Sequence, residues 1–156
     1  MQTGVLMTSV SDAPLDVAHH LALVGDPGAG AVATFIGQVR DHDPEASGTV
    51  ARLEYEAHPD AGATLRAIAA RVAGTHPVRV AVSHRVGDLS VGDLAVVVAV
   101  ASAHRDLAFT VCREVIEAVK TDLPIWKRQV TTDGHGTWTG IGDVQPPANG
   151  GSTSAS

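Results

Sequence analysis

Residues 78 to 102 read VRVAVSHRVGDLSVGDLAVVVAVAS. Two β-branched runs, 78–86 and 94–102, flank GDLSVGD, where Gly87 and Gly92 mark the turns, so the stretch predicts two strands paired as a long hairpin. Beyond Ala103 the period changes. Leu107, Ala108, Val111, Cys112, Val115, Ile116 and Val119 trace one face of a helix reaching about Asp122, and Pro124 forbids its continuation. A strand pair feeding a long amphipathic helix implies a sheet with helices packed on it.

The segments on either side extend that plan. AVATFIGQVR (31–40) is apolar and β-branched enough to be a buried strand, and it runs into a polar loop, DHDPEASGT (41–49). VARLEYEA (50–57) alternates Leu53, Tyr55 and Ala57 with Arg52, Glu54 and Glu56, as a strand with one wet face does. Asp12 or Ser11 can cap a short helix from about Pro14 to Val24, while Ala61, Leu65, Ile68, Ala69 and Val72 mark a second helix ending near Gly74. IWKRQVTT (125–132) and TWTGI (137–141), around DGHG, read as two more strands. The expectation is one α+β domain over residues 1–142, mainly antiparallel sheet with packed helices, and a disordered low-complexity tail over 143–156.

Composition narrows the function. The 156 residues are 44% hydrophobic but only 3% aromatic, so Val, Ala, Leu and Ile must fill the core. A formal net charge of -6 argues against nucleic acid, whose binding needs a broad basic face. The single Cys112 excludes an internal disulfide, and MQTGVLMTSVSDAPL has neither the basic start nor the apolar run of a signal peptide, so a cytoplasmic protein is expected. No apolar run approaches the ~20 residues of a membrane span. The eight histidines form no HxH or HxxxH pair, and neither a Walker-type loop nor GxGxxG occurs, so no metal and no nucleotide cofactor is expected.

Two stretches carry chemistry. ASAHRDLAF (101–109) places His104 and Arg105 where a strand becomes a helix, a position suited to a phosphate or carboxylate; the alternative is that Ser102 caps the helix and both side chains are merely solvated. KTDLPIWKR (120–128) gathers three cations around a proline. Lys120 falls in the last helical turn, where any cation is favourable. On a strand from Ile125, Lys127 shares a face with Ile125 and Gln129, and partial cover by apolar neighbours suits a lysine to proton transfer; an exposed edge lysine is the plainer reading. Arg105 and Lys120 stand about 22 Å apart along one helix, so they serve different ligands or meet across a symmetric dimer. Cys112 lies on the apolar stripe and reads as a buried, inert thiol.

FIGQVRDHD (35–43), LEYEAHP (53–59), HRVGDLSVGD (84–93), SAHRDLAF (102–109) and KTDLPIWKRQ (120–129) occur in this order, and together they resemble the large, catalytic subunit family of molybdopterin synthase. The resemblance implies an α/β-hammerhead-like fold that forms a homodimer and, with one small ubiquitin-like sulfur-carrier subunit at each end, a heterotetramer. The implied reaction moves sulfur from the carrier's C-terminal Gly-Gly thiocarboxylate into cyclic pyranopterin monophosphate, making the molybdopterin dithiolene in molybdenum cofactor biosynthesis. By motif position it implies that Lys120 and Lys127 are catalytic and that Arg40, His104 and Arg105 bind the substrate. The chain departs from the family pattern at Gln129, where a Glu is common, and after Trp138, where TGIGDV replaces acidic and arginine residues. The competing readings are a non-catalytic dimeric module that binds a small phosphorylated ligand, and a phosphoester hydrolase.

Overall fold

The computed structural model describes residues 1–42 and 48–141; the tail expected over 143–156 and the middle of the 41–49 loop lie outside the described residues. Its elements, in chain order, are β1 (Gly4–Ser11), α1 (Val17–Val24), β2 (Ala31–Gln38), β3 (Val50–Ala57), α2 (Ala61–Ala73), β4 (Val78–Arg85), β5 (Gly87–Ser90), β6 (Leu94–Ser102), α3 (Arg105–Asp122), β7 (Ile125–Thr131) and β8 (Gly136–Ile141). They form two four-stranded sheets, ordered β1-β4-β6-β2 and β5-β3-β7-β8. Among the described residues only the β1–β4 pair is parallel, so the α+β, mainly antiparallel expectation holds.

The opening stretch forms the centre of the first sheet. β4 and β6 pair antiparallel, from Val78 opposite Ser102 to His84 opposite Val96, as the hairpin reading requires. Val78, Val80 and Val82 of β4 and Val96, Val98 and Val100 of β6 point to one face, where Leu65 and Ile68 of α2 and Val111, Val115 and Val119 of α3 cover them. The other face carries Ala81, Ala99 and Ala101 against Val24 of α1. Both faces of the central strands are thus buried, which is why they read as near-continuous apolar runs.

Three local expectations need correction, and β1 adds a strand that none of them covers. The segment between β4 and β6 is more than a turn, because Gly87–Ser90 pairs antiparallel with β3 and so reaches the second sheet; Gly87 and Gly92 do turn the chain, both at positive φ. Residues Gly4–Ser11 form β1. Its pairing partner is the distant β4, and no local pattern announces it. α1 begins at Val17 with Asp16 as its cap, the carboxylate accepting from the His19 amide at 3.1 Å; Pro14 therefore precedes the helix. β2 is an edge strand with α3 on one face only, and Val32 and Ile36 on the open face are exposed, so it is not the buried strand its composition suggested.

Candidate active site

The site lies where the end of α3 meets both sheets. In the second sheet Tyr55 of β3 stands directly opposite Lys127 of β7, and Leu53 opposite Gln129. Strand alternation sends these four side chains to one face. Trp126 and Arg128 go to the other, where Glu54 of β3 receives Arg128 at 2.7 Å and Arg52 at 2.8 Å, and the Arg128 guanidinium lies 5.6 Å from the centre of the Trp138 ring. The division of KTDLPIWKR follows directly. Lys127 faces the site and Arg128 braces the back of the sheet.

Pro124 ends α3 and turns the chain into β7, which brings Lys120 of the last helical turn to the same place as Lys127. The first sheet contributes the end of β2. Gly37 pairs with Val96 but Gln38 with Leu94, a bulge at Ala95 that re-aims the strand, and Arg40 follows two residues later. A Cβ on Gly37 would come within 2.6 Å of Val96 Cγ1, so only glycine lets β2 lie this close to β6. Arg40, Lys120, Lys127 and Gln129 share the wall of an open cavity of about 260 Å³ with Tyr55 and Gln38. Among the described residues lining it are three cations and no carboxylate, in a chain whose net charge is -6. Such a wall suits a small anionic ligand.

His104 and Arg105 are not brought there. Both are exposed at the opposite end of α3, the separation that helix length dictates. His104 is the helix cap residue, without a side-chain capping bond, and the Ser102 hydroxyl donates to the His104 carbonyl instead of accepting from a helix amide. The capping role considered for Ser102 is therefore wrong. Cys112 is buried on the inner face of α3, and burial pushes its thiol up to about 11, which leaves negligible thiolate at neutral pH. Among the described residues no three His, Cys, Asp or Glu side chains converge as metal ligands.

Two groups at the site carried no assignment from sequence. Tyr55 is mostly buried and its phenol is pushed up to about 12, so it stays protonated. His84 is 5% exposed and lines a deeper cavity of about 90 Å³ together with Tyr55, Lys120 and Lys127. A signal for it existed. In the inward series Val78, Val80, Val82, the next inward position of β4 is a histidine where the pattern calls for another aliphatic residue.

The family described as MoaE protein matches residues 10–122. Molybdopterin synthase catalytic subunit 1 of Mycobacterium tuberculosis is 42% identical over 133 residues, covering 84% of this chain and 88% of that protein. The molybdopterin synthase catalytic subunit of a Nostoc species is 38% identical over 137 residues, 86% of this chain and 82% of the relative. Among solved structures, molybdopterin synthase from Staphylococcus aureus superposes with a TM-score of 0.77 at 32% identity, covering 84% of this chain and 95% of that one. The MoaE protein of Burkholderia ambifaria gives 0.70 at 33% identity, with 92% and 93% covered. The family match runs from the end of β1 to the end of α3, and the chain belongs to the MoaE family, the family of molybdopterin synthase catalytic subunits.

Proposed function

We propose that this chain transfers sulfur from the C-terminal thiocarboxylate of a small ubiquitin-like carrier subunit to cyclic pyranopterin monophosphate, forming the dithiolene of molybdopterin. The observation that carries the reading is the meeting of Lys120, Lys127 and Arg40 around one cavity in a member of this family. The substrate is anionic and so is the end of the carrier. Arg40 would hold the substrate phosphate by charge-assisted hydrogen bonds. Lys120 and Lys127 would flank the reacting carbons, donate protons as oxygen leaves, and offset the negative charge that develops as sulfur adds. The sulfur arrives on the carrier, so the chain needs no nucleophilic thiol of its own, consistent with the buried Cys112.

His104 and Arg105 enter this scheme from a second copy of the chain. One helix cannot place both of its ends in one pocket, but a two-fold dimer can set the start of one α3 against the end of the other. Phe109, 65% exposed, lies one turn beyond Arg105 on the same side of α3 and gives such a copy an apolar contact. A homodimer with a carrier at each end, working in the cytoplasm, completes the proposal. No helix of the described residues is long and apolar enough to cross a membrane.

The experiment is reconstitution. Purified chain, a thiocarboxylated carrier and cyclic pyranopterin monophosphate are mixed, and dithiolene product is followed under single-turnover conditions. Lys127→Ala is expected to slow product formation by roughly 10²–10⁴-fold. Product at the wild-type rate from that variant would remove Lys127 from the mechanism, and substrate binding with no product from the wild type would leave a binding module instead of an enzyme.

A further inference from the structure

His84 stands at the floor of the site in a fixed chemical state. Its Nδ1 lies 2.7 Å from the carbonyl oxygen of Arg85, and a carbonyl only accepts, so Nδ1 carries the hydrogen and Nε2 keeps a free lone pair. Burial pushes the ring down to about 4; the hydrogen bond to the Arg85 carbonyl opposes this and the nearby charge of Lys120 adds to it, so the imidazole is neutral at physiological pH. The Tyr55 ring stands edge-on at 5.2 Å and restricts rotation. The ring borders the cavity of about 90 Å³ whose wall also includes Lys120, Lys127 and Gln38. That volume admits several waters, since one needs only ~10–15 Å³ of such space.

A buried neutral imidazole in an apolar series costs stability relative to an aliphatic residue, unless its second nitrogen is used. Lys120, Lys127 and the protonated Tyr55 phenol share the wall of its cavity and can donate. Lys120 and Lys127 each bring an ammonium to the rim of this cavity, and the Lys120 charge is felt at the ring. We propose that His84 is a positioning residue for Lys120: its Nε2 accepts a hydrogen bond from the Lys120 ammonium, directly or through a cavity water, and so fixes the direction in which Lys120 offers its remaining protons to the substrate. This rests on the sulfur-transfer reading above. The role is geometric, because a primary ammonium on four methylenes rotates freely unless one of its three donors is held.

Two measurements test it, one of them independent of turnover. In ¹⁵N imidazole spectra of the purified chain, His84 should show the neutral ring with hydrogen on Nδ1. Its Nε2 resonance should move in Lys120→Met and stay in place in Arg113→Ala, a change on an exposed helix face. A ring with hydrogen on Nε2, or an Nε2 signal indifferent to Lys120→Met, overturns the proposal whether or not the chain transfers sulfur.

In the reconstituted reaction, His84→Leu removes the acceptor while continuing the apolar series, and His84→Gln returns an amide oxygen near the Nε2 position. The expected result is a single-turnover rate lowered roughly tenfold to a hundredfold in His84→Leu, with substrate affinity nearly unchanged and most of the rate restored in His84→Gln. Equal rates in wild type and both variants, or a parallel loss of rate, affinity and thermal stability in both, contradict the positioning role while leaving the sulfur-transfer reading intact. If His84→Leu does not fold, the comparison of His84→Gln with His84→Asn decides, since Asn keeps the donor to the Arg85 carbonyl but lacks the distal acceptor; equal rates there also contradict it. Failure of the wild type to make dithiolene sinks the sulfur-transfer reading instead, and the spectra still decide the contact.

Discussion

Cys112 is the residue a sulfur-handling enzyme would be expected to use, and its surroundings forbid it. It is 6% exposed among Val111, Val115 and Ile116, with a thiol pushed up to about 11. Cys112→Ala should keep the full rate of dithiolene formation at a stability cost of about 1 kcal/mol, and the native thiol should resist alkylation at pH 8 until the chain is unfolded. Glu54 behaves oppositely. The Arg128 guanidinium, and after it Arg52, hold its carboxyl below the ordinary 4.5 against the effect of burial. A carboxylate lowered in the folded state adds stability above its unfolded pKa and loses it as pH falls through the folded value. Urea titrations should therefore show wild-type stability dropping as pH falls below about 4.5, with a smaller drop in Glu54→Gln. Cys112 was legible because helical spacing alone put it on the apolar stripe. His84 was legible only as a break in the apolar series, since its importance depends on which strand face is inward and on the lysines that line the same cavity from two other elements.

Among the elements, β2 places the arginine of the site and β7 the lysine. The approach of β2 to β6 depends on Gly37, where a methyl group would stand 2.6 Å from Val96 Cγ1, a buried side chain with little room to yield. Gly37→Ala should cost about 1–3 kcal/mol in denaturant unfolding and lower the rate as Gln38 and Arg40 shift with the strand. Elements whose pattern is local were readable. α2, α3, β3 and β7 lie within a few residues of their sequence reading, because each shows its apolar face in its own periodicity. β1 and β5 were not readable. β1 is defined by a parallel partner about 75 residues away, as Gly4 opposite Arg79 shows, and β5 is four residues whose pairing with β3 turns an apparent loop into a strand. β2 misled by composition, since Val32 and Ile36 are apolar yet exposed on the open face of an edge strand.

At the scale of the whole molecule, α3 sets the central constraint. It carries Arg105 at its first position and Lys120 in its last turn, about 22 Å apart, and only Lys120 reaches the cavity with Arg40 and Lys127. The length of that helix was evident in the sequence, and with it the choice between two separate ligands and one composite pocket. In the proposed homodimer each pocket would combine the lysines of one chain with His104 and Arg105 of its partner. The direct measurement uses a heterodimer purified through two different tags, one chain carrying Lys127→Ala and the other Arg105→Ala, reconstituted with thiocarboxylated carrier and cyclic pyranopterin monophosphate. Both mutant homodimers should be nearly inactive. The heterodimer has one pocket with both defects and one with neither, so it should form dithiolene at roughly half the wild-type rate per dimer. A heterodimer no more active than the two homodimers would contradict the composite site.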